Sequence, residues 1–218
     1  MKINPFKRSA IAILLFLNTS ISPVVAVNTD TSFCSIQIQK VSRSKYCKVV
    51  DLSLKWNNDD SLSAVSTYNC LFEQLGIQNI KERNVVDDNP SNVYFTYVGR
   101  NDDNHILVFD IFFYEYGGIF MVNTGSKDTI TMEGNICFSP NGKYFVNYGG
   151  DLFYEPFTPF VRLFTINNGQ FVLINNNLIT NKNILSVKWA DSDTCYLQVL
   201  TSNKRTEYYE INLLFDKT

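Results

Sequence analysis

Short runs of aromatic and β-branched residues, separated by Asn, Asp and Gly, make up most of the sequence beyond residue 90. Such runs are typical of β-strands joined by tight turns. Aromatic residues are 14% of the chain, and their rings pack well on sheet surfaces. The sequence therefore predicts a mainly β protein, with strands at 93–98, 105–114, 118–123, 128–132, 135–138, 143–147, 160–166, 170–174, 184–189, 194–200 and 206–214.

Three tight turns are predicted between these strands. Tyr116-Gly117-Gly118 and Asn167-Asn168-Gly169 contain residues that tolerate positive φ, which two-residue hairpins require. Ser139-Pro140-Asn141-Gly142 has Pro at the second and Gly at the fourth position of a type I turn. We therefore expect consecutive strands to pair as antiparallel hairpins.

The segment before residue 90 has a different pattern. Alternating apolar and polar residues at 36–39 and 49–54 predict two short strands. A helical spacing follows, and Gly76 is a suitable stop signal, so we predict one amphipathic helix over about 61–75. The apolar residues of this helix, which should pack on a sheet, are Leu62, Val65, Cys70, Leu71 and Leu75.

A weak internal repeat relates residues 136–166 to residues 185–213. In each copy a strand ends in an aromatic residue, Phe138 or Trp189, and a turn and two further strands follow. The segment Phe138-Ser139-Pro140-Asn141-Gly142-Lys143-Tyr144 resembles the F-S-P-D-G-K hairpin of WD-repeat and related bacterial β-propeller blades. Asn141 stands where Asp is usual, and the Trp-Asp pair that defines WD repeats is missing. The resemblance covers about a third of the chain and implies propeller-like hairpins.

A closed propeller needs at least four blades, and the chain after residue 90 has room for three. We therefore expect an open, curved set of antiparallel sheets in a single domain, residues 27–218. In this domain residues 27–90 supply the N-terminal strands and the helix, and residues 91–218 supply the hairpin repeats. A generic antiparallel sandwich is the alternative.

Residues 1–26 have the order of a secretory signal peptide. Lys7 and Arg8 precede an apolar run at 10–17, and small residues precede a cleavage site that we predict after Ala26. Neither this run nor any later one is long enough to span a membrane. After residue 26 no Asn starts an N-glycosylation signal, which favours a bacterial product. We expect a periplasmic or secreted protein.

Removal of residues 1–26 takes away three basic residues and no acidic one, which changes the net charge from −2 to −5. A chain of this charge lacks the basic surface of a nucleic-acid-binding protein, so we expect no nucleic acid partner. An acidic surface instead suits a basic partner protein.

All five cysteines follow the predicted cleavage site, in a compartment where disulfides persist. Loop-closure entropy favours a bridge within residues 34–70, either Cys34 or Cys47 with Cys70, but the sequence does not fix the pairing. There is no Cys-x-x-Cys motif and only one histidine, His105, so no metal site is predicted. No cofactor motif is present either.

Two groups of side chains could carry chemistry. The segment Asn101-Asp102-Asp103-Asn104 offers oxygen ligands for calcium, although Asx-rich turns also form for backbone reasons alone. Catalysis by His105 with a serine nucleophile is not expected, since no Gly-x-Ser-x-Gly motif occurs. A glycoside hydrolase would need two converging carboxylates. The candidates for these are Asp110, Glu115, Asp151 and Glu155.

The most unusual stretch is residues 144–160, where a loop rich in aromatic, proline and acidic residues connects two strands. Its rings either fill the core or form a rigid aromatic surface that anchors a partner. A second aromatic cluster at 112–116 is a candidate neighbour of this loop. The predicted binding residues are Tyr114, Glu115, Tyr116, Tyr148, Asp151, Phe153, Tyr154, Glu155 and Phe157.

These features together predict a non-enzymatic binding protein of the periplasm or the extracellular space, such as an inhibitor of, or immunity-type partner for, another secreted protein. The alternative is a glycan-acting hydrolase, or a glycan- or calcium-binding module, that uses the loop carboxylates. Exposed sheet edges are compatible with a dimer.

Overall fold

The computed structural model describes residues 33–56, 68–77, 80–82, 93–113, 116–151 and 158–215. Within these ranges the chain forms three β-sheets and two short helices, and nearly all neighbouring strands are antiparallel. The predicted open, mainly β fold is therefore confirmed. The signal peptide lies outside the described residues.

Sheets I and II come from the middle of the chain. Sheet I has the strand order β2-β3-β4-β5-β6, and only the β2–β3 pair is parallel. Its strands are β2 (Ile80–Glu82), β3 (Val93–Asn101), β4 (Ile106–Phe113), β5 (Tyr116–Asn123) and β6 (Thr129–Met132). Sheet II has the order β10-β9-β8-β7. Its strands are β7 (Asn135–Phe138), β8 (Tyr144–Gly149), β9 (Phe160–Asn167) and β10 (Gln170–Asn175).

Sheet III joins the N-terminal part of the described chain to its C-terminal part, in the order β1-β13-β12-β11. Its strands are β1 (Phe33–Val41), β11 (Lys182–Trp189), β12 (Thr194–Thr201) and β13 (Thr206–Phe215). β1 confirms the predicted strand at 36–39. It pairs antiparallel with β13, so that Ile38 lies opposite Ile211.

Helix α1 (Arg43–Lys48) was not predicted. The hydroxyl of Ser42 accepts a hydrogen bond from the backbone N–H of Lys45 (3.1 Å), which caps the start of the helix. Tyr46 is the buried residue of α1. Its ring lies 4.9 Å from the ring of Tyr208, and its hydroxyl oxygen is 2.5 Å from that of Ser186, so α1 covers the outer face of sheet III.

Helix α2 (Asn69–Gln74) confirms the C-terminal part of the predicted helix, while residues 57–67 lie outside the described residues. Gly76, at φ +70°, follows the helix as the predicted stop signal. The fully buried Phe72 packs on sheet I, as expected for the apolar face. Cys70 is exposed, so its predicted place on that face is wrong.

Three apolar clusters show how the layers stack. One lies between α2 and sheet I, a second between sheets I and II, and a third between sheets II and III. Stacked phenylalanines fill the middle cluster, where the rings of Phe145 and Phe164 are 4.8 Å apart. Trp189 is fully buried in the third cluster. The layers therefore follow the order α2, sheet I, sheet II, sheet III, α1.

Two of the three predicted turns are confirmed and one is wrong. Asn168 and Gly169 both have positive φ, and Gly142 donates its N–H to the carbonyl of Ser139 at 2.8 Å. The segment Tyr116-Gly117-Gly118, however, is part of β5 and not a turn. Gly118 is required for a different reason: a Cβ there would lie 2.8 Å from the carbonyl oxygen of Met132 on β6.

Residues 51–56, here called the strap, lie outside any strand, so the predicted strand at 49–54 is wrong. The N–H of Leu52 donates to the carbonyl of Trp189 (2.7 Å), and that of Leu54 donates to the carbonyl of Phe138 (3.1 Å). These two carbonyls belong to the matching aromatic residues of the internal repeat. The strap therefore ties sheets II and III together at equivalent positions.

Candidate functional site

A groove of about 340 Å³ opens on the face of sheet I that is turned towards sheet II. Its lining residues are Tyr94, Thr96, Asp110, Ile111, Phe112, Gly117, Gly118, Ile119, Gly134 and Asn135. The strand register explains the grouping of the exposed side chains, because residues directly opposite each other in an antiparallel pair lie on the same face. Tyr94 lies opposite Phe112, and Thr96 lies opposite Asp110. The rings of Tyr94 and Phe112 therefore lie side by side. The Thr96 hydroxyl and the Asp110 carboxylate form the next pair on this face of the sheet.

Several groove residues are accessible although they belong to regular strands, whereas Ile111 and Ile119 are buried. Phe112 is 38% exposed, and Asp110 and Thr96 are also exposed. On the opposite face of the same strands, Phe95 and Phe109 are buried beneath α2. The rigid, buried side of sheet I therefore holds the accessible side in place.

Gly117 gives the groove its depth. It lies opposite Phe112 on β4, and a Cβ at this position would be 3.6 Å from Cδ2 of the Phe112 ring. Because glycine has no side chain, no Cβ of residue 117 covers the edge of the Phe112 ring. A methyl group would fit here without strain, but it would take up ligand space.

The far wall of the groove is the turn between β6 and β7, and Asn147 holds it. The fully buried side chain of Asn147 donates from Nδ2 to the carbonyl of Glu133 (2.7 Å) and to that of Asn135 (3.1 Å). Gly134 has φ +78°, and a Cβ there would lie 2.4 Å from the carbonyl oxygen of Tyr148. The wall is therefore fixed by sheet II.

Several predicted binding residues cannot be placed at the groove. Tyr114, Glu115, Phe153, Tyr154, Glu155 and Phe157 lie outside the described residues. The backbone of Tyr116 is in β5, opposite Phe113 and next to Gly117 of the groove.

Tyr148 and Asp151 are described, and neither is among the residues that line the groove. Tyr148 is half-buried against the cluster between sheets II and III, where burial raises the pKa of its phenol. Asp151 is exposed, and its Oδ1 accepts a hydrogen bond from Nδ2 of Asn183 at 3.0 Å. The structure instead brings Asp110, a candidate acid, together with Phe112.

Sequence reasoning missed Tyr94, Thr96 and Asn135 as groove residues. Alternation along β3 places Tyr94 and Thr96 on one face, and this is the only signal in the sequence. Their approach to Asp110 depends on the register between β3 and β4, which a bulge between Tyr97 and Gly99 shifts.

The described cysteines have free thiols. Cys47 and Cys70 are exposed, and the side chain of Cys34 lies outside the described part of the chain. The predicted bridge within residues 34–70 thus stays a prediction. Burial raises the pKa of the Cys137 thiol to about 11 and also raises that of the fully buried Cys195. Both the partly buried Cys137 and the buried Cys195 are protonated at neutral pH and are poor nucleophiles.

The Asx-rich turn between β3 and β4 is held by its own side chains. Oδ1 of Asn101 accepts hydrogen bonds from the backbone N–H (2.8 Å) and from Nδ2 (3.0 Å) of Asn104. Arg100 forms an ion pair with Asp102, with Nε 3.2 Å from Oδ1. Within the described ranges, no group of three or more His, Cys, Asp and Glu side chains is arranged to hold a metal ion.

Sheet III carries two sites where a carboxylate and a tyrosine bind lysine. At the first, Glu207 pairs with Lys182 (2.6 Å) and Lys40 (2.5 Å). Nζ of Lys182 also lies 4.4 Å from the centre of the Tyr209 ring. Hydrogen bonds from Lys182, Lys40 and Tyr209 lower the pKa of Glu207 from 4.5 to about 2.

The second lysine site lies beneath α1. Glu210, which is 6% exposed, forms an ion pair with Lys45 of α1 and accepts hydrogen bonds from Gln39 (2.6 Å) and from the hydroxyl of Tyr196 (2.5 Å). Burial raises the pKa of Glu210, but these hydrogen bonds and one from Asn212 outweigh it and lower the pKa from 4.5 to about 2. Nζ of Lys45 lies 5.9 Å from the centre of the Tyr196 ring.

Comparison with known proteins gives no further guide. No protein-family model matches the chain, and no curated protein or solved structure is significantly similar to it. Among the described helices none is long and apolar enough to cross a membrane. The groove and the two lysine sites therefore have to be interpreted from their own chemistry.

Proposed function

We propose that this chain is a non-enzymatic binding protein of the periplasm or the extracellular space, and that it recognises another protein through the groove of sheet I. The observation that carries the proposal is the groove itself, where Tyr94, Asp110 and Phe112 are presented side by side on paired strands. Localisation follows from the signal-peptide pattern of residues 1–26.

The construction of the groove supports binding. Its side chains project from a sheet whose other face is packed beneath α2, so little conformational entropy is lost when a partner docks. Aromatic anchors in a pocket, flanked by polar groups, are typical of the residues that dominate protein–protein affinity. When a partner covers a partly exposed ring such as Phe112, the burial of that ring contributes favourable free energy to binding.

The carboxylates favour binding over glycoside hydrolysis. A hydrolase needs two carboxyl groups on either side of the scissile bond. Asp110 is the one acid among the described residues that line the groove, whereas Asp151 is bonded to Asn183 elsewhere. Glu115 and Glu155 are outside the described residues.

Affinity capture from envelope and culture extracts tests the proposal. The bait is the purified protein, compared with the double variant Asp110→Asn, Phe112→Ala. Leu185→Ala, on an exposed leucine of β11 that is not part of the groove, is the matched control. We expect one specific protein to be captured by the wild type and the control and lost with the double variant.

Capture of the same proteins by all three baits would overturn the proposal, and so would the absence of any specific partner. Release of sugar from cell-wall glycan by the purified protein, abolished by Asp110→Asn, would also overturn it in favour of the hydrolase. Circular dichroism of each variant verifies that a lost partner does not result from unfolding.

A further inference from the structure

We infer that the groove of sheet I receives a lysine or arginine side chain of the partner, with Asp110 as counter-ion and the rings of Tyr94 and Phe112 against the cation and its apolar stem. This inference rests on the proposed function and specifies the chemistry that the partner must present. It commits to a basic side chain and not to a neutral sugar.

The molecule already binds lysine in this way twice. At Glu207 and at Glu210, a lysine Nζ pairs with a carboxylate while it lies over or beside a tyrosine ring of the same sheet face. A cation near an aromatic face is attracted by the ring quadrupole in addition to the carboxylate. The groove repeats this pairing of residue types with Asp110 and two rings, but in an accessible position.

Other contacts of Asp110 do not prevent this role. A carboxylate has several acceptor positions, and Glu207 binds Lys182 and Lys40 at the same time. Asp110 is exposed, so a further cation can approach it from the groove.

The remaining lining residues fit the stem and the head of a basic side chain. Ile119 and the glycines of β5 give an apolar floor for the methylene groups. The hydroxyl of Thr96 and the amide of Asn135 are acceptors at the rim for the N–H groups of an ammonium or guanidinium. The net charge of −5 on residues 27–218 favours approach of a basic partner over an acidic one.

An NMR titration of the ¹⁵N-labelled protein tests the inference. The probes are N-acetyl-lysine amide, the same compound acetylated on Nε so that its charge is removed, and N-acetylglucosamine. We expect the charged probe to shift the amide signals of Thr96, Asp110, Gly117 and Asn135 selectively. The uncharged lysine probe should shift them several times less at equal concentration.

Two variants with the same change in charge distinguish binding in the groove from a general attraction of the probe to the acidic surface. Asp110→Asn should weaken binding of the charged probe about fivefold, the loss expected for an accessible ion pair beside aromatic rings. Asp151→Asn, in which the replaced carboxylate bonds Asn183, should leave it unchanged. Unchanged signals outside the groove verify that both variants remain folded.

The outcomes distinguish the two proposals. Equal weakening by both variants, or equal shifts from both lysine probes, would overturn the lysine or arginine assignment. Selective shifts from N-acetylglucosamine alone would also overturn it and leave the groove as a binding site for sugar. If no probe acts on the groove and partner capture is insensitive to the groove variant, the proposed function fails as well.

Discussion

Glu210 and Asp110 are both acidic residues beside aromatic rings on β-strands, but they belong to two different sheets. Glu210 lies on the outer face of sheet III beneath α1, which supplies Lys45, and three further side chains donate to the carboxylate. Asp110 lies on the inner face of sheet I, in a groove over which neither described helix packs. Glu210 is 6% exposed, whereas Asp110 is exposed.

This difference separates a buried acid that stabilises the fold from an exposed acid that a ligand can reach. A buried carboxylate that several protein groups bond contributes to stability and is out of reach of a ligand. An accessible carboxylate beside aromatic rings contributes little to folding, since exposed ion pairs are weak. Substitution of Glu210 should therefore lower stability, whereas substitution of Asp110 should weaken binding and leave stability almost unchanged.

The largest expected effect is the loss of stability in Glu210→Ala. Removal of this carboxylate leaves the buried hydroxyl of Tyr196 without its acceptor, and the exposed side chains of Lys45 and Gln39 also lose their partner. We expect the free energy of unfolding to fall by about 3 kcal/mol, as measured by urea denaturation. A fall below about 1 kcal/mol would contradict the structural role assigned to Glu210.

Acid should weaken the fold through the same residue. The pKa of Glu210 falls from 4.5 to about 2 on folding, so its contribution of about 3 kcal/mol is complete above pH 4.5 and is lost as the pH falls to about 2. Urea midpoints measured across this pH range should fall more steeply for the wild type than for Glu210→Gln. Parallel slopes would show that Glu210 is not the group that titrates.

Two adjacent glycines test whether the groove can be altered without harm to the fold. Gly118→Ala places a Cβ 2.8 Å from a backbone oxygen of Met132, and we expect a loss of about 1–3 kcal/mol in stability. Gly117→Ala meets only ordinary contacts, at 3.6 Å, and should raise stability by about 0.5 kcal/mol while it weakens binding in the groove. Thermal denaturation measures the stability of both variants, and partner capture measures binding in the groove. A Gly117→Ala variant that is less stable than Gly118→Ala would contradict the packing of β5 against β6.

The smallest expected effect on stability is that of Asp110→Asn. Because the side chain is exposed, the free energy of unfolding should change by less than about 0.5 kcal/mol, whereas partner capture should fall. Urea denaturation on the material used for capture makes the comparison direct. A loss comparable to that of Glu210→Ala would remove the contrast between the two acids.

Local signals in the sequence predicted much of the sheet structure. The aromatic and β-branched runs marked most strands because each has to pack on at least one face, and Asn168-Gly169 marked a turn because both residues have positive φ. Helix α1 was missed, since a single buried residue, Tyr46, leaves no apolar periodicity. The glycines of β5 were misread as a turn because the sequence does not reveal how closely β6 approaches.

The candidate site was harder to predict than the fold. The sequence predicts Asp110 as a candidate acid and Phe112 as part of an aromatic cluster, but their association with Tyr94 and Asn135 depends on strand register and on the position of the turn between β6 and β7. Both are tertiary properties. The repeat with its aromatic residues Phe138 and Trp189 was visible, whereas the strap that binds their carbonyls was not, because hydrogen bonds to backbone leave no pattern in side chains.

The pairing of β1 with β13 has a consequence for how the protein is made. Gln39 and Glu210, which are hydrogen-bonded across this pair, are separated by 171 positions in the chain. During synthesis β1 therefore leaves the ribosome long before its partner strand exists. Sheet III cannot be completed until almost the whole chain is available, and contacts of such long range slow folding. Until then the edge of β1 is exposed and has to be kept from pairing with other chains.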